Sequence, residues 1–153
     1  MKKIASFTVN HDLLEKGVYI SRIDGDTVTF DVRMKKPNGG DYLSASAAHT
    51  MEHLLATFMR NSAVGSSVVY VGPMGCRTGF YVLLRDDVKN ADAIKLIYEG
   101  LAFVRDFEGE IPGNTRVECG NYLDHDLAGA KEIARDMTQV LKNWTEKDLI
   151  YKE

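Results

Sequence analysis

Val18-Tyr19-Ile20-Ser21-Arg22-Ile23, then Asp24-Gly25-Asp26, then Thr27-Val28-Thr29-Phe30-Asp31-Val32-Arg33 is the stretch that sets the fold class. The first run reads as a strand, and Asp-Gly is a hairpin turn signal. The second run alternates strictly. Val28, Phe30 and Val32 fall on one side, and Thr27, Thr29, Asp31 and Arg33 on the other. Successive strand side chains point to opposite faces, so this predicts a half-buried strand that completes an antiparallel hairpin. Pro37-Asn38-Gly39-Gly40 ends it.

Downstream, a helix is predicted from about Ser44 to Asn61. Serines lie near its start, and Met51, Leu54, Leu55 and Phe58 form an apolar stripe. Ser67 to Val71 and Thr78 to Leu84 read as a second strand pair. A helix from Asn90 to Phe107 carries Ile94, Ile97, Leu101 and Val104 at core spacing. Glu108 to Tyr122 is irregular, and a last helix covers about Asp126 to Asn143. The order ββαββαα has hairpins rather than alternating βα units. It predicts an α+β fold, a mostly antiparallel four-stranded sheet covered by helices. Asp124-His125-Asp126 reads either as a helix N-cap or as a supplementary ligand region. Trp144 and Tyr151 read as helix packing, and the charged tail from Thr145 to Glu153 as frayed.

At 153 residues the expectation is one domain, 1–153. The net charge of −3 implies no basic face, so neither nucleic acid nor an anionic membrane is an expected partner. No apolar run is long enough to span a bilayer, and Met1-Lys2-Lys3-Ile4-Ala5-Ser6 lacks an apolar signal core. A cytoplasmic protein is expected. Two cysteines in that compartment suit a metal ligand or a reactive thiol better than a disulfide.

The run His49-Thr50-Met51-Glu52-His53 carries the chemistry. Four residues on a helix return to nearly the same face, so His49 and His53 can grip one ion, with Glu52 beside it. This is the H-x-x-E-H arrangement. Two histidines need a third ligand; the candidates are His11, His125, Cys76, Cys119 and the carboxylates, and spacing does not choose between Cys119 and Cys76. Cys76 lies in the glycine-flanked turn Gly75-Cys76-Arg77-Thr78-Gly79, where a nearby cation would favour the thiolate. A metal, a carboxylate and a thiol can move protons beside a carbonyl or activate water. The second option would make the chain a small zinc-dependent hydrolase. A catalytically silent metal-binding protein is a third option.

Five segments narrow the choice: Ser6-Phe7-Thr8-Val9-Asn10-His11, Phe30-Asp31-Val32-Arg33, His49 to Phe58, Gly72-Pro73-Met74-Gly75-Cys76-Arg77-Thr78-Gly79-Phe80-Tyr81, and Cys119-Gly120-Asn121-Tyr122. Together, in this order, they resemble the S-ribosylhomocysteine lyase (LuxS) family from about Ser6 to Lys131. The resemblance implies a homodimer with active sites at the subunit interface. It implies Fe²⁺ held by His49, His53 and Cys119, with Zn²⁺ or Co²⁺ able to substitute, and no organic cofactor. Glu52 and Cys76 would be the acid–base pair, and Ser6, His11 and Arg33 would line the pocket for S-ribosylhomocysteine. The products implied are homocysteine and 4,5-dihydroxypentane-2,3-dione, the autoinducer-2 precursor. Tyr70 departs from the pattern: better known members carry an aspartate there, six residues before the cysteine, which helps hold the homocysteine end. A tyrosine hydroxyl can hydrogen-bond but brings no full charge.

Overall fold

In a computed structural model, which describes residues 1–153, the chain forms a four-stranded antiparallel sheet backed by three α-helices. β1 (Gly17–Asp24) and β2 (Thr27–Arg33) make the expected hairpin, turning through Gly25 at φ 59°. α1 (Ala45–Arg60) leads to β3 (Val68–Pro73) and β4 (Gly79–Arg85); α2 (Asn90–Asp106) and α3 (Leu127–Val140) follow. The element order is ββαββαα, and the sheet order β1-β2-β4-β3 joins the two hairpins through β2 and β4. The expected α+β class holds.

Local chemistry starts the helices where the sequence suggests. Ser44 Oγ accepts the Ala47 backbone N–H at 3.1 Å, and the Asp126 carboxylate accepts that of Gly129 at 2.9 Å. Each satisfies an N–H that the first turn leaves unpaired. Across β2 and β4, Val28 faces Leu84, Phe30 faces Val82, and Val32 faces Phe80. This apolar face packs on Met51, Leu54, Leu55, Met59, Ile97, Leu101 and Met137 from the helices, within one cluster of 28 buried residues.

The opposite face departs from the alternation. Thr29, Asp31 and Arg33 lie on the polar side of the alternation, yet Asp31 is 1% and Arg33 3% exposed. Tyr151 of the tail donates to Asp31 at 2.6 Å, and the tail is packed rather than frayed. Trp144 Nε1–H donates to the Val18 carbonyl on the outer edge of β1 at 2.9 Å, and its ring meets Tyr19 edge-on. Gly17, at φ 153°, leaves the space that the indole occupies. A Thr145–Asp148 capping box then starts a 3-10 helix, Glu146–Leu149, which buries Leu149. Tyr151 stacks on Tyr19 with ring centroids 5.1 Å apart. The segment therefore wraps the β1 edge from the helical side to the other face. Aromatic pairs contribute roughly 0.5–1.5 kcal/mol each beyond area burial. That explains how a short charged segment stays put, and it covers an otherwise open sheet edge. No helix is long and apolar enough to cross a membrane.

Candidate active site

Helix α1 presents His49 and His53 on one face, one turn apart. Each ring is tethered from behind. His49 Nδ1–H donates to the Asp124 carbonyl and His53 Nδ1–H to the Pro112 carbonyl, both at 2.7 Å. A carbonyl only accepts, so both Nδ1 atoms carry the proton and both Nε2 lone pairs are free. These face Cys119 Sγ at 3.4 and 3.9 Å. Tetrahedral ligation with ordinary metal–sulfur and metal–nitrogen bonds sets that separation at about 3.6 Å. A histidine ligand whose other nitrogen is tied to a carbonyl is the usual supporting arrangement around a metal. Gly113, at φ 72°, lets the backbone approach His53: an added Cβ would lie 3.2 Å from Nδ1. The irregular segment is thus shaped around the imidazole.

His125 joins the group; one ring nitrogen each of His125, His49 and His53 and the Cys119 Sγ lie within 4.8 Å of one another, and the four could hold a metal ion. Ring geometry separates their roles. The His49 and His53 planes stand at 86°, so their in-plane lone pairs can meet at one point. The His125 ring is stacked on His49, 4.1 Å away at only 17°. The near-parallel rings of His49 and His125 thus offer their lone pairs side by side, whereas those of His49 and His53 come from crossed planes. Thr50 Oγ1 contacts His125 Nδ1 at 3.0 Å, and His125 Nε2 is buried with no partner. Such an atom suits a ligand oxygen. Burial, with the neighbouring His49 and His53, holds His125 below the ordinary histidine range, which favours the neutral ring. Glu52, on the same helix, is half-buried.

The second cysteine stands elsewhere. Cys76 is an exposed free thiol in the turn from β3 to β4. Arg77 adopts φ 61° there, a strained conformation for a side chain of that size. Cys76 Sγ lies 3.0 Å from Thr78 Oγ1 and 4.0 Å from Arg33 Nη1. Arg33 itself donates to Thr78 Oγ1 at 2.8 Å and pairs with Asp31 at 2.6 Å. Burial alone would ease proton loss from Arg33, but the hydrogen bonds and charge of Asp31 outweigh it and hold the guanidinium cationic. His11 and Cys76 line one cavity of about 250 Å³ with Tyr42, Arg77 and Thr78. His11 Nδ1–H donates to the Val9 carbonyl at 2.9 Å, which leaves Nε2 free.

One chain therefore divides the expected residues. His49, His53 and Cys119 come together, as do Cys76, Arg33 and His11. Ser6 lines a third hollow, with Tyr70 and Tyr81 on the helix-free sheet face. None of His49, His53, Cys119 and His125 lines the Cys76 cavity. Sequence reading missed Thr78 as a partner of the thiol, and Asp31 and Tyr151 behind Arg33. Only the -Asp-Val-Arg- spacing, which puts two opposite charges on one strand face, signalled part of that network.

The S-ribosylhomocysteinase (LuxS) family profile matches residues 4–148. The chain is 50% identical over 157 residues to an S-ribosylhomocysteine lyase of Phocaeicola vulgatus, covering 99% of this chain and 98% of that one. It is also 50% identical to the lyase of Clostridium beijerinckii, with 99% of each covered, and 45% identical to that of Finegoldia magna, with 100% of each covered. The chain belongs to the S-ribosylhomocysteinase (LuxS) family and, like these relatives, is a lyase.

Proposed function

We propose that residues 1–153 form one catalytic domain that cleaves S-ribosylhomocysteine to homocysteine and 4,5-dihydroxypentane-2,3-dione, the autoinducer-2 precursor. The observation that carries this reading is the convergence of two carbonyl-tethered imidazoles on the Cys119 thiol, with a second thiol held by Arg33 and Thr78. The substrate's sulfur leaves poorly from an unactivated carbon. Once the sugar carbonyl has migrated to the position β to sulfur, the proton between them is acidic and elimination can proceed. A divalent ion held by His49, His53 and Cys119, Fe²⁺ by family resemblance, would act as a Lewis acid that polarises sugar carbonyls and stabilises enediolate charge. Imidazole and thiolate donors also suit Zn²⁺ and Co²⁺.

The protein's own groups move the protons. Glu52 and Cys76 take one from a carbon and return it to a neighbouring atom, which migration and elimination both require. Arg33 and Thr78 hold the Cys76 sulfur, and His11 offers a free Nε2 to the same cavity. Ser6 and Tyr70 meet the homocysteine end, where the Tyr70 hydroxyl replaces a charged contact with a neutral one. No organic cofactor is called for. A hydrolase reading of the H-x-x-E-H helix would leave the Cys76 cluster without a task.

The division of one chain into a metal group and a thiol group supports a homodimer whose active sites span the interface. The helix-free sheet face supports it too, since Tyr70 on it is 50% exposed and Phe7 nearby in sequence to Ser6 is 70% exposed. A cytoplasmic enzyme acting on a small molecule, with no nucleic-acid or membrane partner, fits the weak net charge. The test is to supply S-ribosylhomocysteine to anaerobically purified, Fe²⁺-loaded, reduced protein and titrate free thiol. Stoichiometric homocysteine release is expected; none would overturn the reading.

A further inference from the structure

Asp31 and Arg33 stand two residues apart on β2 and share the helix-free face. Their side chains are 1% and 4% exposed. A buried ion pair forgoes hydration on both sides and persists only where further hydrogen bonds fill its remaining sites. Here they are filled in one direction. Arg33 gives Nε and Nη2 to the two Asp31 oxygens at 3.1 and 2.6 Å, which leaves Nη1 for Thr78 Oγ1 and Cys76 Sγ. Asp31 Oδ2 accepts a further hydrogen bond, at 2.6 Å, from the Tyr151 hydroxyl. Because Thr78 Oγ1 accepts from Arg33, its own O–H is free to donate to Cys76 Sγ. A hydrogen-bonded line thus runs from the C-terminal segment to the thiol.

We infer that Tyr151 is a positioning residue for Cys76: through Asp31 it fixes the Arg33 guanidinium and, with it, the Thr78 hydroxyl, which together hydrogen-bond and orient the sulfur. This rests on reading Cys76 as an acid–base group. Without the phenol, Asp31 keeps more of its negative charge and more rotational freedom. Both weaken the positive field of Arg33 at the sulfur. Burial and the adjacent Asp31 push proton loss from Tyr151 well above the ordinary tyrosine range, so it remains a donor. Its ring is placed independently, by stacking on Tyr19.

Tyr151→Phe separates the two contributions, since it keeps the ring and removes only the hydroxyl. The probe is iodoacetamide on metal-loaded, reduced protein, read by mass spectrometry of the Cys76 peptide well below both melting temperatures. Alkylation is expected to slow roughly three- to tenfold, a fraction of the worth of a charge-assisted hydrogen bond because the group acts at a distance. With S-ribosylhomocysteine, kcat should fall by a similar factor while KM holds. Asp31→Asn should slow alkylation further. A Tyr151→Phe protein that alkylates and turns over like wild type would overturn the inference, as would one that only melts lower. If wild type alkylates normally yet releases no homocysteine, the lyase reading fails alone, and alkylation still decides the role of Tyr151.

Discussion

The imidazole at His125 shows how far single residues carry the argument. It lies among three metal-type donors and yet is stacked on His49 rather than crossed with it as His53 is. The expected consequence is a divided mutational response. After loading with Zn²⁺ and dialysis, Cys119→Ala should lose most of its bound ion by elemental analysis. His125→Phe, which keeps a stacked ring, should retain about one ion per chain. Loss of the ion from both would show that His125 ligates. The His49–His53 pair was legible because helical spacing is local. The choice of Cys119 over Cys76 was not, because it depends on a contact across about 70 residues, and spacing says nothing of that. The same holds for Asp31 and Arg33. Alternation on a strand marks a polar face, but not whether another part of the chain will cover it.

Elements add stability terms that can be measured one at a time. Ser44→Ala and Asp126→Ala each remove a helix N-cap and should each cost about 1 kcal/mol in urea unfolding. The Asp126 variant should also loosen the segment that carries the Asp124 carbonyl behind His49. The C-terminal wrap makes a different prediction. Burial raises Tyr151, Tyr19 and Tyr81 above the tyrosine value of 10.0, Asp31 adding to each. The native state therefore keeps protons that the unfolded chain sheds. The stabilisation is complete below pH 10 and is lost as pH rises above it. The urea midpoint of wild type should drop between about pH 9 and pH 11, and Tyr151→Phe should drop less steeply. An identical slope would remove Tyr151 from this account. The helices and hairpins were legible from periodicity and caps. The wrap was not, since a short charged segment gives no period, and its anchors (Trp144, Leu149 and Tyr151) are single residues.

At the scale of the molecule, both hairpins lie in one sheet and all three helices lie on one side of it. That arrangement leaves a face of tyrosines and Leu83 beside the buried ion pair, together with an exposed Tyr70. A second copy is the proposed cover. Sedimentation at micromolar concentration should give a species of two chains, and a charge introduced by Leu83→Glu should shift it toward one. A monomer in wild type would remove the shared-site reading.

The separation of the Cys76 cavity from the His49–His53–Cys119 group has a consequence for genetics. If the metal group of one subunit works with the thiol of its partner, His53→Ala and Cys76→Ala protomers are each inert alone but complement one another. Random exchange puts half of all dimers in the mixed form, each with one sound site, so about a quarter of wild-type activity returns. If both groups serve the same chain, every mixed site is defective and nothing returns. Two null alleles expressed together would then distinguish a shared site from a private one.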